Sequence, residues 1–285
     1  MDTPNHRKTE TRNGRAELLV VHGLLILFVL LALGPILIVI LNSFKTTPAI
    51  FGGPFDLPTA KTFSIDGYLR VFTRGNFLMN YKNSLIVTVA TIILTVSTSA
   101  LAAFALVEYR LRMTAPLIGL FVVGIMLPIR LGTVPILEIM ISWNLVDTLT
   151  ALILVYTAMS IPIAVTLMVA YFRTVPTELK EAARIDGAGE IRTFLIALPI
   201  VKPGLAAVAT LTMLPVWNDL WFPLILSPSK SNQTVTLGVQ QFVGQFLSDY
   251  PALLAALTLG AVPLIVLYVI FSRQFIRGLS QGVGK

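Results

Sequence analysis

Three groups of residues in this sequence have types and spacings that could do chemistry. In Trp217-Asn218-Asp219-Leu220-Trp221, two indoles flank an amide and a carboxylate. Amides and carboxylates hydrogen-bond hydroxyls, and an aromatic face covers the apolar C–H surface of a pyranose, so Trp217, Asn218, Asp219 and Trp221 are candidates for lining a sugar's path. The alternative is an interfacial tryptophan belt with the acid near the outer headgroups. Arg130, between Pro128 and Pro135, is either a substrate contact or half of a structural ion pair with Glu138 or Asp219. The third group is the charged run Glu178-Leu179-Lys180-Glu181-Ala182-Ala183-Arg184-Ile185-Asp186-Gly187-Ala188-Gly189.

Several other chemistries are excluded. There is no cysteine, hence no disulfide, thiol nucleophile or Cys-ligated metal. The two histidines, His6 and His22, cannot form an H-E-x-x-H site, and His22 reads as an interfacial imidazole rather than a proton relay. No G-x-x-x-x-G-K-[ST] occurs, the single Gly-Lys pair being Gly284-Lys285, so no phosphate loop for ATP is present. No nucleophile and base stand at a persuasive spacing. The expectation is a chain with no catalytic residues, no metal and no cofactor of its own.

The elements that must position these groups are membrane helices. Of 285 residues 55% are hydrophobic and 12% charged, and the mean hydropathy is +0.83. That charge fraction is roughly half of what soluble domains carry. Six apolar stretches, 18–41, 84–107, 114–137, 149–172, 203–226 and 252–272, approach the ~20 residues needed to cross a bilayer. Since a spanning backbone must satisfy its own hydrogen bonds, they imply an all-α bundle rather than a barrel. The first span is far longer than a signal peptide's apolar core and reads as a retained anchor. Pro128 and Pro135 predict irregularity in the third span, and Pro162, Pro215 and Pro223 predict kinks in the fourth and fifth. Small residues from Ser97 to Ala103 predict close helix contact along the second.

Fourteen Lys and Arg residues fall in 1–17, 108–113, 173–202 and 273–285, against six in 42–83, 138–148 and 227–251. The positive-inside rule places both termini and the 173–202 loop in the cytoplasm. Bases spread over short loops argue against nucleic acid as a partner. The 42–83 loop reads as irregular extracytoplasmic structure with a short amphipathic helix near Ile65 to Phe72.

Within the 173–202 loop, Pro176-Thr177 starts a helix with Thr177 as N-cap and Glu178 in the first turn, and Gly187 and Gly189 stop it. A second helix runs from Glu190 through Ile191, Phe194, Leu195 and Leu198 to Pro199. On the first helix Leu179, Ala182, Ala183 and Asp186 share one small, apolar face, flanked by Lys180, Glu181 and Arg184. A helix of barely three turns is unstable alone, so it packs either on the chain's own helix ends or on a partner.

Glu181-Ala182-Ala183, then Asp186-Gly187-Ala188, Phe194, Ile196 and Leu198-Pro199 resemble the EAA loop of permease subunits of ABC importers. Ala103-Phe104-Ala105-Leu106, Tyr109-Arg110-Leu111-Arg112, Trp217-Asn218-Asp219 and the tail from Gly278-Leu279 to Gly284 are similar to the maltose-type carbohydrate branch, so the resemblance covers essentially the whole chain. It implies a six-helix type I permease fold in a bacterial plasma (inner) membrane. It also implies a second homologous permease, two copies of an ATP-binding subunit that hold the ATP and Mg, and an extracytoplasmic sugar-binding protein. The loop would then be a coupling helix seated in an ATPase cleft, with Glu181 at the charged contact and Glu178, Ala182, Ala183, Arg184, Asp186 and Gly187 around it. An ion-coupled secondary sugar transporter is the competing reading and a polytopic enzyme the third. Six spans without inverted halves, a docking-type loop and the missing phosphate loop favour the importer subunit.

Overall fold

A computed structural model describes the backbone of residues 10–109, 112–244 and 248–283 and the side chains of most residues between 17 and 266. His6, Arg7, Lys8, Arg110, Leu111, Gly284 and Lys285 lie outside the described residues, and so do the side chains of Arg12, Arg15 and Arg277. Regular structure among the described residues is helical: α1 (Glu10–Ser43), α2 (Thr47–Gly52), α3 (Asp66–Arg74), α4 (Phe77–Glu108), α5 (Thr114–Met126), α6 (Thr133–Ser142), α7 (Leu149–Phe172), α8 (Thr177–Ile185), α9 (Glu190–Ala197), α10 (Lys202–Asn218), α11 (Trp221–Leu226), α12 (Val235–Val239) and α13 (Tyr250–Val283). Among the described residues three helices, Glu17–Ser43, Phe77–Glu108 and Leu149–Phe172, are long and apolar enough to cross a membrane, or up to five if each of two bent pairs is one span. The chain divides into two compact units, residues 1–71 with 242–258, and residues 72–241 with 259–285.

In the first unit, the apolar side chains of α1 from Leu18 to Ile36 are exposed, a coat suited to lipid rather than water. Beyond it the chain turns through α2 and α3 and is tied by specific bonds. Lys45 is buried, with its Nζ donating to the Gly53 carbonyl at 2.9 Å. Ser43 Oγ and Tyr68 OH lie 2.7 Å apart, and Arg70 meets Asp249 at 2.7 Å. The short amphipathic helix expected near Ile65 to Phe72 is present as α3.

In the second unit, α4 packs along α7 and α10. Its buried positions include Asn80, Ser84, Thr88, Thr91, Thr95, Ser99 and Ala103, mostly four residues apart, so a stripe of small and polar side chains faces inward. Side chains of this size allow close backbone approach. Ser99, Ala100 and Ala103 are buried as close contact requires, whereas Ser97 and Thr98 face outward.

The third and fifth apolar stretches are not continuous helices. α5 ends at Met126, and after Pro128 a 3-10 turn (Ile129–Gly132) leads into α6, giving an 86° bend. The physical reason is Pro128, which has no N–H to continue the ladder and drives Leu127 out of the helical region, to ψ 124°. The fifth stretch is helical only to Asn218 and resumes at Trp221. Pro223 cannot donate to the carbonyl of Asp219; the hydroxyl of Thr236 does so at 2.8 Å.

Gly204 of α10 lies so close to α7 that a Cβ there would sit 2.5 Å from Tyr171 Cγ, the root of the ring. Gly204→Ala is expected to destabilise the protein by about 1–3 kcal/mol through overpacking, read as a lower Tm in detergent. Gly119→Ala on α5, where nothing lies within 4 Å, serves as the control and leaves Tm unchanged or higher.

Candidate functional site

Two places carry the candidate groups. The first is a cavity of about 300 Å³ lined by Arg130, Tyr156, Ser160, Asn218, Asp219 and Phe222, with Ile129, Met159, Pro215 and Val216 completing the wall. It exists because both apolar stretches break here. The turn after Pro128 brings in Arg130, and the break at Asp219-Leu220 brings in Asn218 and Asp219.

Asp219 is partly buried and its Oδ2 accepts from Tyr156 OH at 2.8 Å and from the Phe222 backbone N–H at 3.0 Å. The carboxylate thereby caps the first turn of α11, where the amide dipoles favour an anion. Arg130 makes no salt bridge among the described residues. Instead its guanidinium stacks on the Trp221 ring, 5.7 Å from the centroid, while Trp221 Nε1 donates to Thr133 Oγ1 at 2.9 Å. The ion pair expected with Glu138 or Asp219 is therefore absent among the described residues; the indole face takes the cation and Asp219 is engaged by donors. Asn218 is exposed, and its Nδ2 reaches back to the Leu214 carbonyl at 2.9 Å, leaving its amide oxygen open.

Trp217 does not join the cavity. It is buried, donates from Nε1 to the Gly260 carbonyl at 3.0 Å and packs edge-on against Tyr81. The structure thus brings Arg130, Asn218 and Asp219 to the cavity wall, places Trp221 against Arg130 without its lining the cavity, and sets Trp217 apart. Tyr156 and Ser160 were missed in the sequence because they sit inside an otherwise apolar helix, where a single hydroxyl gives no periodic signal.

The second place is the 173–202 loop. It forms the expected helix, turn and helix, α8 and α9, with Gly187 at φ +80° making the left-handed turn. The N-cap differs from expectation: Pro176 holds that position, and Thr177 is the first helical residue with no side-chain cap bond. The small face anticipated for α8 is split. Ala183 is buried, while Leu179, Ala182 and Asp186 are exposed with Glu178, Glu181 and Ile185. The buried side of α8 consists of Lys180 and Ala183.

Lys180 and Arg184, one turn apart, close on a single carboxylate. Lys180 Nζ lies 2.6 Å from Glu108 Oε2, and Arg184 lies 2.6 Å from Glu108 Oε1 and 3.3 Å from Glu190. Hydrogen bonds from Arg184 to Glu108 and to Glu190 raise the guanidinium above its ordinary pKa. Glu108 is the last residue of α4 and its side chain is only 7% exposed, so its charge depends on these partners. Below the ions, Phe194 of α9 meets Phe104 of α4 and Phe172 of α7, with centroids 5.3 and 6.2 Å away, and Phe104 and Phe172 meet at 5.7 Å. Glu108 was also missed in the sequence. Its signal was a lone acid ending a long helix with no other charge after Lys82, with two bases at i, i+4 spacing elsewhere to receive it.

The chain is thus an apolar bundle broken at a polar cavity, with a charged two-helix loop pinned to the end of α4. Residues 73–281 match the family described as binding-protein-dependent transport system inner membrane component. The chain belongs to that family. It is therefore a multi-pass inner-membrane transport component and not an enzyme, and its family works with an ATPase and a substrate-binding protein. Relatives of this permease include the diacetylchitobiose uptake system permease protein NgcG of Streptomyces coelicolor, 33% identical over 92% of this chain and 87% of that protein. The sulfoquinovosyl glycerol transport system permease protein SmoH of Agrobacterium fabrum is 30% identical over 94% and 90%. The trehalose transport system permease protein SugB of Mycobacterium tuberculosis is 31% identical over 89% and 93%. The fold is that of a chain in a bacterial ABC transporter involved in importing the acidic polysaccharide alginate, with a TM-score of 0.81, 21% identity, and coverage of 96% of this permease and 100% of that chain.

Asp219→Ala removes the acceptor shared by Tyr156 and the Phe222 amide and is expected to cost about 1–3 kcal/mol. Asn218→Ala, which loses only a bond within its own exposed turn, is expected to change stability by less than about 0.5 kcal/mol. Thermal melts of the two purified variants in detergent check both values.

Proposed function

We propose that this permease forms half of the translocation pathway of an ATP-driven sugar importer in a bacterial plasma membrane. A second homologous permease forms the other half, two copies of an ATP-binding subunit bind the ATP and Mg, and an extracytoplasmic binding protein delivers the sugar. The reading places six spans near 18–41, 84–107, 114–137, 149–172, 203–226 and 252–272, cytoplasmic tails at 1–17 and 273–285, and the coupling loop at 173–202. Charge asymmetry between alternate loops supports this sidedness. The saccharide-transport names of the relatives support a sugar as cargo.

The observation that carries the ATPase contact is the outward face of α8. Glu178, Glu181, Ala182 and Ile185 follow one another at helical spacing and are all exposed, Ile185 at 86%, and Ile191 of α9 is exposed at 78%. Two bare isoleucines in a charged loop outside the spans need a covering partner, and the glutamates give that partner's cleft a charge to match. Ala182 allows the cleft to approach the helix backbone. Gly187 keeps α8 and α9 at a sharp angle, and Asp186 faces outward beside it. Lys180, Ala183 and Arg184 serve the same loop from its inner side. Arg130, Asn218, Asp219 and Trp221 line the path, with Trp217 as its structural backing.

Alternating access follows from two states. ATP binding draws the partner subunits together, the loop moves with them, and the helices around the cavity tilt to open outward. Hydrolysis reverses the motion and releases sugar inward. The loop couples only if it contacts the ATPases differently in the two states.

Proteoliposomes holding the assembled system test this. Uptake of labelled saccharide is expected to require ATP and binding protein. Glu181→Ala is expected to lower uptake and sugar-stimulated ATPase about tenfold, the effect of losing roughly 1.4 kcal/mol of contact, with membrane insertion unchanged. Gly187→Asp is expected to act in the same direction, because φ +80° strains any residue with a Cβ. Uptake by this chain alone under a pH gradient, without ATP, would establish the secondary-transporter reading instead.

A further inference from the structure

The cytoplasmic end of α4 holds a group for which the relatives' names and the family description give no role. Glu108 closes a helix of 32 residues whose only charged residue after Lys82 is Glu108 itself. Its two carboxylate oxygens are divided between two cations of α8, Oε2 to Lys180 and Oε1 to Arg184, each at 2.6 Å. The Glu108 and Lys180 side chains are 7% and 11% exposed, so solvent salt screens the pair far less than a surface ion pair. Arg184 is more open, at 37%, and also holds Glu190 at the start of α9.

α8 has little else to hold it. Of its nine residues only Lys180 and Ala183 are buried, and an alanine gives almost no grip. α9, by contrast, is anchored through Phe194 between Phe104 and Phe172 and through buried Thr193 and Ala197. The Gly187 turn ties α8 to α9, and charge ties it to α4: a carboxylate taking two cations one turn apart fixes the rotation of α8 about its axis as well as its distance from α4. The receiving helix, α4, is the one that packs along α7 and α10, which supply Tyr156, Ser160 and Asn218 to the cavity.

We propose that Glu108 is the positioning residue through which displacement of α8 is delivered to α4, and so to the helices around the Arg130–Asp219 cavity. This rests on the permease reading above. Glu108 touches neither substrate nor nucleotide; it acts through Lys180 and Arg184. A swollen or tilted α8 without this link would still present Glu178, Glu181 and Ile185 outward, so docking to an ATPase and coupling to it are separable properties of the loop.

The assembled importer in proteoliposomes decides the matter. Glu108→Gln, nearly isosteric but neutral, is expected to keep co-purification with the ATPase and its basal hydrolysis, while stimulation by sugar-loaded binding protein and uptake each fall at least about fivefold. The charge-swapped double variant Glu108→Lys with Lys180→Glu, which leaves Arg184 on Glu190, is expected to regain most of both. A purely structural role for Glu108 would not produce retained assembly with lost stimulation, nor recovery on inversion. Wild-type stimulation and uptake in Glu108→Gln would overturn the proposal. If that variant fails to assemble, the charge-swapped double variant decides: recovery of assembly and stimulation supports the link, and failure to recover either overturns it. Wild-type complex that shows no ATP-dependent uptake would instead remove the permease reading itself, which keeps the two failures distinct.

Discussion

Backbone polar groups withdrawn from water must be paired, and at Pro128 and Pro223 the loss of that pairing coincides with a gathering of polar side chains. Pro223 leaves the Asp219 carbonyl without its helical donor, and Thr236 supplies one from another segment. The freed turn exposes the Phe222 amide, and the Asp219 carboxylate takes it. That carboxylate in turn fixes Tyr156 on α7. Pro128 does the equivalent to the preceding stretch and leaves Arg130 on a short turn against Trp221. The cavity is thus a consequence of two interrupted ladders meeting, and its hydrogen-bonding groups are those recruited to repair them.

The 173–202 loop is held by two interactions of different kind. The Phe104, Phe172 and Phe194 rings seat α9 by apolar contact, which is non-directional. The Glu108, Lys180 and Arg184 cluster seats α8 by directed charge. A loop built this way has a firm inner helix and an outer helix whose orientation depends on a few atoms. Such a division suits an element that must stay attached while one of its parts responds to a partner.

Much of this was legible in the sequence. The apolar stretches, the α3 helix, the Thr177–Ile185 and Glu190–Ala197 pair and the Gly187 turn follow from periodicity, proline and glycine, which act over a few neighbouring residues. Pro128 marked a break but not the size of its bend, 86°, whereas Pro162 and Pro215, expected to kink their stretches, lie inside the continuous helices α7 and α10. Side-chain partners across the fold were the hardest to read. Trp217 and Trp221 look alike in the sequence, yet one is buried against Gly260 and the other lies under a guanidinium. The face of α8 was assigned from the helical spacing of Leu179, Ala182, Ala183 and Asp186, whereas an acid 72 residues before Lys180 draws that lysine inward. Pairings of that kind leave no local trace.

The inward stripe of α4 also bears on biogenesis. Ser84, Thr88, Thr91, Thr95 and Ser99 would meet hydrocarbon if this helix left the translocon alone, and hydroxyls are poor company for acyl chains. α1, apolar on every side through its middle, has no such difficulty. Synthesis in this order therefore gives an early helix that parts into lipid at once and a later one that lingers beside the insertion machinery until α7 and α10 arrive to shield it.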